Sequence, residues 1–419
     1  MNRQDVREIP VASAGLQRGE VLVPRQIHDP VHGPLNCPAA PLVAGSLVSK
    51  GRPNRLATLP RDDRRGDADA RLFLVTCPRE GGGTAAIAAA APSGDALSAS
   101  AARGAVEEWA AVSGSRTLLI AGTPWCSGAL HAASAARQAA SDGRGAGRQV
   151  YVLGPAVMPA ETAAELADLG AIGASSLDGV GPDDVVVFPA HGVTAEVRAE
   201  ATRRGATIVD ATCPIVAVAQ EAAARTAERG HQLVLVGQPD HASTEPIISH
   251  APGRVTMVET PASTTAVAAS DSRPISYLVQ PGLTREAGAP IVSALRSRYP
   301  AARKAVPEEV CFAPSDRAGT IYSVALGSDL MLVVGDPTSS DTRQMCGHAR
   351  SSGTRVQVIG EVSDIKPAML SAVHTIGLAE ATSAGAGLAA QVVEALSGLG
   401  RLTIARRRLS TEKTADILG

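Results

Sequence analysis

Aromatic side chains are scarce: three Phe, four Tyr and two Trp make up 2% of 419 residues. With so few large rings, packing must come from Ala, Val, Leu and Ile, which favours α/β layers over a β-sandwich. Net charge is small as well, −2, with 39 Lys and Arg against 41 Asp and Glu. That balance argues against a nucleic-acid partner, whose broad footprint needs an excess of basic side chains. No apolar run reaches the ~18–20 residues that span a bilayer, so no membrane segment is expected. The first residues, MNRQDVREIP, have no basic stretch followed by an apolar one. No secretory signal is read there, and the expected location is cytoplasmic. Six Cys are too few to staple so long a chain. In a reducing compartment they are buried small hydrophobes, or else ligands and catalysts.

Apolar residues are plentiful, 45% against 19% charged, and the length suits about three domains of ordinary size. Residues 1–116 read as an N-terminal extension, partly irregular, with apolar pieces broken by Pro and Gly at 19–47 and a charged linker at 51–70. LFLVTC (72–77) reads as a buried strand, PREGGG (78–83) as a turn and the Ala-rich stretch after it as helical, which would make one βα unit. PREGGG lacks the Gly-Lys-Ser/Thr ending of a phosphate-binding loop, so no nucleotide site is read there.

From Thr117 onward strands and helices alternate. The strand candidates are TLLIAG (117–122), QVYVLG (149–154), DVVVFPA (184–190), TIVDA (207–211), QLVLVG (232–237), RVTMVE (254–259), ISYLVQ (275–280), LMLVVG (330–335), RVQVIG (355–360) and TIGLAE (375–380). Many are continuous apolar runs, as in parallel strands covered on both faces. Helices such as PAETAAELADLG (159–170) and TAEVRAEATRRG (194–205) open on Pro or a Thr cap and close at Gly. The expected fold class is α/β, with three α/β lobes (117–213, 214–310, and 311–419 with the C-terminal tail) arranged around a central site.

Three cysteines fall just past strand C-terminal ends, where open α/β sheets place functional groups. Cys126 follows TLLIAGTPW, Cys213 follows TIVDAT and Cys311 follows PEEV, each ahead of a helix and nearly evenly spaced along the chain. One thiol per lobe would let three thiolates meet. Helix N-termini favour thiolates, and thiolates are what iron–sulfur clusters take, with one iron left open for substrate. Read from spacing alone, a buried core cysteine is the favoured reading of each. His191 in PAHGVT, His241 in GQPDHAS and the hydroxyls of TSSDT (338–342) also follow strands. Aimed at one centre they would make an anion pocket; singly they are surface histidines and helix caps. Cys346 falls on a helical stretch and reads as packing. Cys37 and Cys77 lie in the extension, where a ligand role for Cys77 stays open.

The order of AHGVTAEVR (190–198), VDATCPIV (209–216), QPGLT (280–284), SALRSRYP (293–300), VCFAPSDR (310–317) and LVVGDPTSSDT (332–342) resembles the 4-hydroxy-3-methylbut-2-enyl diphosphate reductase, or LytB, family. The resemblance covers roughly 300 of the 419 residues. It implies three α/β lobes around a [4Fe–4S] cluster held by Cys126, Cys213 and Cys311. It also implies reductive removal of the allylic hydroxyl of a small phosphorylated substrate in the methylerythritol phosphate isoprenoid pathway. The products would be isopentenyl and dimethylallyl diphosphates, and the electrons would come from ferredoxin or flavodoxin. His191, His241, Ser339 and Ser383 match diphosphate-binding positions of that family, within a pocket that also takes in Ser340 and Asp341.

Four positions depart from the family pattern. Met158 stands where a third histidine is expected. Ser243 stands where the proton-donating glutamate is expected, and Glu245 could replace that acid only if the loop shifts. Pro281 stands in place of the threonine that supports the glutamate. Asp341 replaces an asparagine and would repel a diphosphate. The resulting expectation is an iron–sulfur reductase of this kind with weakened activity on the family substrate. The alternatives are a divergent paralogue doing related reductive chemistry on another substrate, or a non-catalytic cluster-binding or sensor protein.

Overall fold

All ten strands expected after Thr117 form, and they lie in three parallel sheets. The computed structural model describes residues 5–12, 15–59, 68–122, 126–154, 160–267, 273–306, 311 and 313–409. They belong to two units, Met1–Gly122 with Thr320–Arg408, and Thr123–Gly319 with Leu409–Gly419. Among the described residues no helix is long and apolar enough to cross a membrane.

The second unit holds two of the parallel sheets. One has the order Ile172–Ala174, Val150–Leu153, Val185–Phe188, Thr207–Asp210; the other Val255–Val258, Gln232–Val236, Ile275–Val279, Arg303–Lys304. Leu233, Val234, Leu235 and Val236 are all fully buried. Helices on both faces remove the usual in-and-out alternation, which is why these strands read as unbroken apolar runs. Each helix then starts beyond a strand's C-terminal end, and the chemistry-bearing residues sit at those starts.

The first unit holds the third parallel sheet, in the order Arg355–Ile359, Leu330–Val334, Thr375–Glu380, Arg116–Ala121, Leu402–Arg407. Two expectations change here. The strand expected to open the first lobe, Arg116–Ala121, pairs instead with Thr375–Glu380 and Leu402–Arg407. An apolar run specifies a strand buried on both faces but carries no information on which sheet receives it. Leu402–Arg407 itself had no apolar signal, because beyond Leu402 every residue is exposed along this edge strand.

The described residues of the extension form a sheet and helices. Its sheet runs Arg7–Val11, Ala70–Pro78, Thr84–Pro92, Val21–Pro24, Asn54–Ala57, so part of the expected charged linker is a strand. The Ala-rich stretch expected to be helical is the strand Thr84–Pro92, antiparallel to Ala70–Pro78. Gly81, Gly82 and Gly83 have φ of 73°, 92° and 89°, a left-handed run that turns the chain back on itself. Ala85 to Ala91 are then buried; all but Ile87 are alanines, whose small side chains let layers close on both faces of the strand. The helix comes later, at Ala96–Ala111, where Asp95 accepts from the N–H groups of Leu97 and Ser98. Its Trp109 is fully buried and donates Nε1–H to Ser46 Oγ at 2.9 Å.

One hydrophobic core joins this extension to the third parallel sheet: Leu22, Leu42, Phe73 and Trp109 pack in the same cluster as Leu332, Ile376 and Leu396. The backbones also come close. A Cβ on Gly45 would lie 2.7 Å from Ser363 Cβ, and one on Gly398 would lie 2.5 Å from Ala39 N. Each large apolar side chain so buried contributes roughly 1.5–3 kcal/mol, against a typical total stability of about 5–15 kcal/mol. Removing residues 1–112 is therefore expected to give insoluble protein or one without a cooperative unfolding transition. Soluble yield and thermal denaturation check this.

Candidate functional site

Three helix starts in the second unit carry the three cysteines. Cys126 is the N-cap of Ser127–Ala146, and its sulfur accepts from Ala129 N–H at 3.3 Å. Cys213 is the N-cap of Pro214–Glu228 and donates its own N–H to Ala190 O at 2.9 Å. Cys311 lies two residues before the helix Ala313–Leu326. All three are half-buried. They are neighbours: burial pushes the Cys311 thiol up to about 11, Cys126 and Cys213 push it the same way, and the N–H groups of Ala313 and Gly282 oppose them. A Cβ on Gly128, in the first turn after Cys126, would lie 2.6 Å from Cys213 Sγ. Only glycine there lets the sulfur sit against that turn.

His191 and His241 join this group. Their rings meet edge to face, with centroids 5.1 Å apart and planes 72° apart. Burial lowers the pKa of both; His241, pushed also by His191, is held at about 4. His191 sits in the turn after Val185–Phe188, where Gly192 N–H donates to Pro189 O at 2.8 Å. Among the described residues its buried Nδ1 has no hydrogen-bond partner, nor has Nε2 of Gln220, which would lie 2.4 Å from a Cβ on Gly192.

The His241 loop is held by Gln280, at the end of Ile275–Val279. Its Nε2 donates to Gln238 O and Thr244 Oγ1, and its Oε1 accepts from Gln238 N–H at 2.8 Å. Gly282 then links thiol and imidazole. Its N–H points to the Cys311 sulfur, its φ is +103°, and a Cβ on it would lie 2.5 Å from His241 Nε2.

The departures take definite places. Ser243 is fully buried and turned toward His241, with Oγ 2.9 Å from Nδ1. Glu245 is exposed in the first turn of Thr244–Ile248, so it does not fill the acid position. Met158 lies outside the described residues. Cys37 and Cys77 are core thiols of the first unit, raised by burial to about 12 and about 11; Cys77 is a packing residue on a strand, not a ligand. Cys346 is buried on Ser340–Arg350.

The remaining expected residues lie in the first unit. Ser339 is the N-cap of Ser340–Arg350 without a side-chain cap bond; the Ser340 side chain is outside the described set. Ser383 Oγ lies 3.0 Å from Thr342 Oγ1 and accepts from Asp336 N–H at 3.2 Å. Asp341 Oδ2 accepts from both the N–H and the Oγ1–H of Thr382 at 2.8 Å. Its carboxylate is thus tied to the loop that carries Ser383, which softens the expected repulsion of a phosphate.

Gly128 escaped the sequence reading, while Gln280 and Gly282 entered it only within QPGLT (280–284) and Thr342 only within TSSDT (338–342), with no role assigned to each alone.

The sequence pattern of the LytB protein family matches residues 118–397. The chain is 36% identical over 305 residues to 4-hydroxy-3-methylbut-2-enyl diphosphate reductase 2 of Mycobacterium bovis, covering 72% of this chain and 92% of that one. It is 34% identical over 251 residues to 4-hydroxy-3-methylbut-2-enyl diphosphate reductase of Cereibacter sphaeroides, covering 59% and 79%. Among solved structures, the E-1-hydroxy-2-methyl-but-2-enyl-4-diphosphate reductase from Plasmodium falciparum shares the fold with a TM-score of 0.59 at 21% identity, covering 72% of this chain and 96% of that one. The match leaves the N-terminal extension outside and takes in all three cysteines and both histidines, and the chain belongs to the LytB family.

Proposed function

We propose that the chain is an iron–sulfur reductase that removes the allylic hydroxyl of 4-hydroxy-3-methylbut-2-enyl diphosphate, consuming two electrons and two protons and releasing water. The observation that carries this reading is Gly282, which joins the Cys311 thiol to the paired imidazoles. Among the described residues no group of three His, Cys, Asp or Glu is drawn close enough to hold a single metal ion. Three neighbouring thiols at helix starts, with no carboxylate among them, suit instead a [4Fe–4S] cluster, whose irons keep the ligands apart. Cys126, Cys213 and Cys311 would hold it. When bound, it supplies low-potential electrons and one iron without a protein ligand, fed by an external carrier of ferredoxin or flavodoxin type.

His191 and His241 bind the diphosphate in this reading. Both imidazoles are neutral at pH 7 while the pocket is without anion, because burial disfavours their charged forms. A bound diphosphate favours the imidazolium at His191, whose Nδ1 has no partner among the described residues, so binding takes up a proton; His241, whose Nδ1 accepts from the Ser243 N–H, stays neutral. Affinity for inorganic pyrophosphate is therefore expected to rise as pH falls from 8 to 6. Calorimetry in buffers of different ionisation enthalpy checks the uptake, and a pH-independent affinity contradicts it.

A second reading within the same chemistry rests on Ser243. A serine hydroxyl does not deliver protons as a carboxylic acid does, and a missing acid costs typically ~10²–10⁴-fold in rate. Slow turnover, or a different allylic substrate, follows from this. An anaerobic assay of cluster-replete protein with a reduced donor separates these outcomes from a cluster-binding protein without turnover.

A further inference from the structure

Ser243 surrounds one side of the His241 ring with donors. Its backbone N–H donates to Nδ1 at 3.2 Å, and its Oγ lies 2.9 Å from the same nitrogen and 3.4 Å from Pro281 O. An amide N–H can only donate, so Nδ1 is the acceptor and the ring hydrogen is on Nε2. Among the described residues no group takes a hydrogen bond from Nε2, which rests against the bare Cα of Gly282. Pro281 offers neither an N–H nor a hydroxyl, only its carbonyl, which flanks Ser243 Oγ at 3.4 Å while the hydroxyl hydrogen goes to the nearer Nδ1. Ser243, Pro281 and Gly282 thus form one cradle around His241.

We propose that Ser243 is a positioning residue which, with the Pro281-Gly282 turn, fixes His241 as an Nε2–H donor for a phosphate oxygen. The position expected to hold an acid has become part of an imidazole clamp. Restoring the acid alone does not fit this cradle. Ser243 is fully buried, so a glutamate there adds three heavy atoms to filled space, and overpacking displaces its neighbours. The proposal rests on the diphosphate reading for the identity of the ligand; the tautomer of His241 does not depend on it.

The test uses the full-length protein, prepared anaerobically, in three forms: unmodified, Ser243→Ala and Ser243→Thr. Inorganic pyrophosphate is titrated by calorimetry, and ¹⁵N-histidine NMR reports the tautomer. The unmodified protein is expected to show His241 as Nε2–H. Ser243→Ala, which keeps the backbone N–H and loses the hydroxyl, is expected to keep the Nε2–H tautomer, to shift the Nδ1 ¹⁵N resonance as one of its two donors is lost, and to bind pyrophosphate about 2- to 12-fold more weakly, the effect of one lost hydrogen bond. Ser243→Thr, which keeps the hydroxyl, is expected to keep the resonance and the affinity. An unmoved Nδ1 resonance and unchanged affinity in Ser243→Ala, with only a lower melting temperature, would make Ser243 a packing residue and overturn the proposal. So would an Nδ1–H tautomer in the unmodified protein. If the unmodified protein fails to bind pyrophosphate, the diphosphate reading fails, and the Nδ1 resonance still decides the role of Ser243.

Discussion

Replacing any one of Cys126, Cys213 or Cys311 by Ser is expected to leave a folded chain that has lost most of its iron, its sulfide and its visible absorbance. The physical reason is the donor. A cluster iron replaces the thiol proton, and a serine hydroxyl holds its proton far too tightly to be replaced in the same way. The site amplifies this dependence. Cys311 is pushed up to about 11 by burial and by the other two thiols, so three thiolates coexist there only when positive iron offsets them. The N–H groups of Ala129, Ala313 and Gly282 directed at these sulfurs help, yet three hydrogen bonds do not neutralise three charges. The other cysteines are the control. Cys37, Cys77 and Cys346 are buried in apolar cores. Replacing each by Ser is expected to cost about 1–3 kcal/mol of stability for a buried hydroxyl and no iron. Iron and sulfide analysis of the six single variants gives two groups of three in this account.

Gly282→Ala is expected to damage both halves of the site at once. The φ of +103° is strained for any side chain, and the new Cβ would meet His241 Nε2 at 2.5 Å. Strain of this kind costs about 1–3 kcal/mol, and the clash adds to it unless the ring moves. If the ring moves, it leaves His191 and the Ser243 cradle. If the turn moves, the Gly282 N–H leaves the Cys311 sulfur. Pyrophosphate affinity is therefore expected to fall by at least about tenfold, equivalent to about 1.4 kcal/mol, and the spectrum of the reduced cluster to change. Gly81→Ala supplies the comparison, because Gly81 has a φ of +73° with nothing within 4 Å of its would-be Cβ. It carries the backbone strain without the clash, so it should lower stability and leave affinity and spectrum unchanged. Calorimetry and electron paramagnetic resonance on both variants make the distinction.

The parts of this protein legible in its sequence are those where burial is uniform. A parallel strand covered on both faces is apolar along its buried length, so 233–236 of Gln232–Val236 and all of Leu330–Val334 announced themselves. Thr84–Pro92 did not, because alanine is the strongest helix former and is depleted in strands, so local preference pointed the wrong way and the left-handed glycine turn before it, with burial on both faces, prevailed. Leu402–Arg407 is an exposed edge and carries no apolar signature. Arg116–Ala121 was legible as a strand and illegible as to its sheet, since pairing depends on residues some 260 positions away. The cysteines and histidines were marked by their place after strands. What surrounds them was not: the tie between Asp341 and Thr382, and the turn of Ser243 toward His241, depend on backbone directions that spacing does not encode.

The measurement that bears most directly on the account is turnover per cluster. Full-length protein, prepared anaerobically and replete in iron and sulfide, is given a reduced donor and 4-hydroxy-3-methylbut-2-enyl diphosphate beside a family member that carries the glutamate. The account predicts measurable reduction at least about 10²-fold slower than the family member's, because the buried Ser243 stands where the acid would be. Equal turnover would contradict it, showing that the acid position is dispensable and that the proton reaches the substrate from another group.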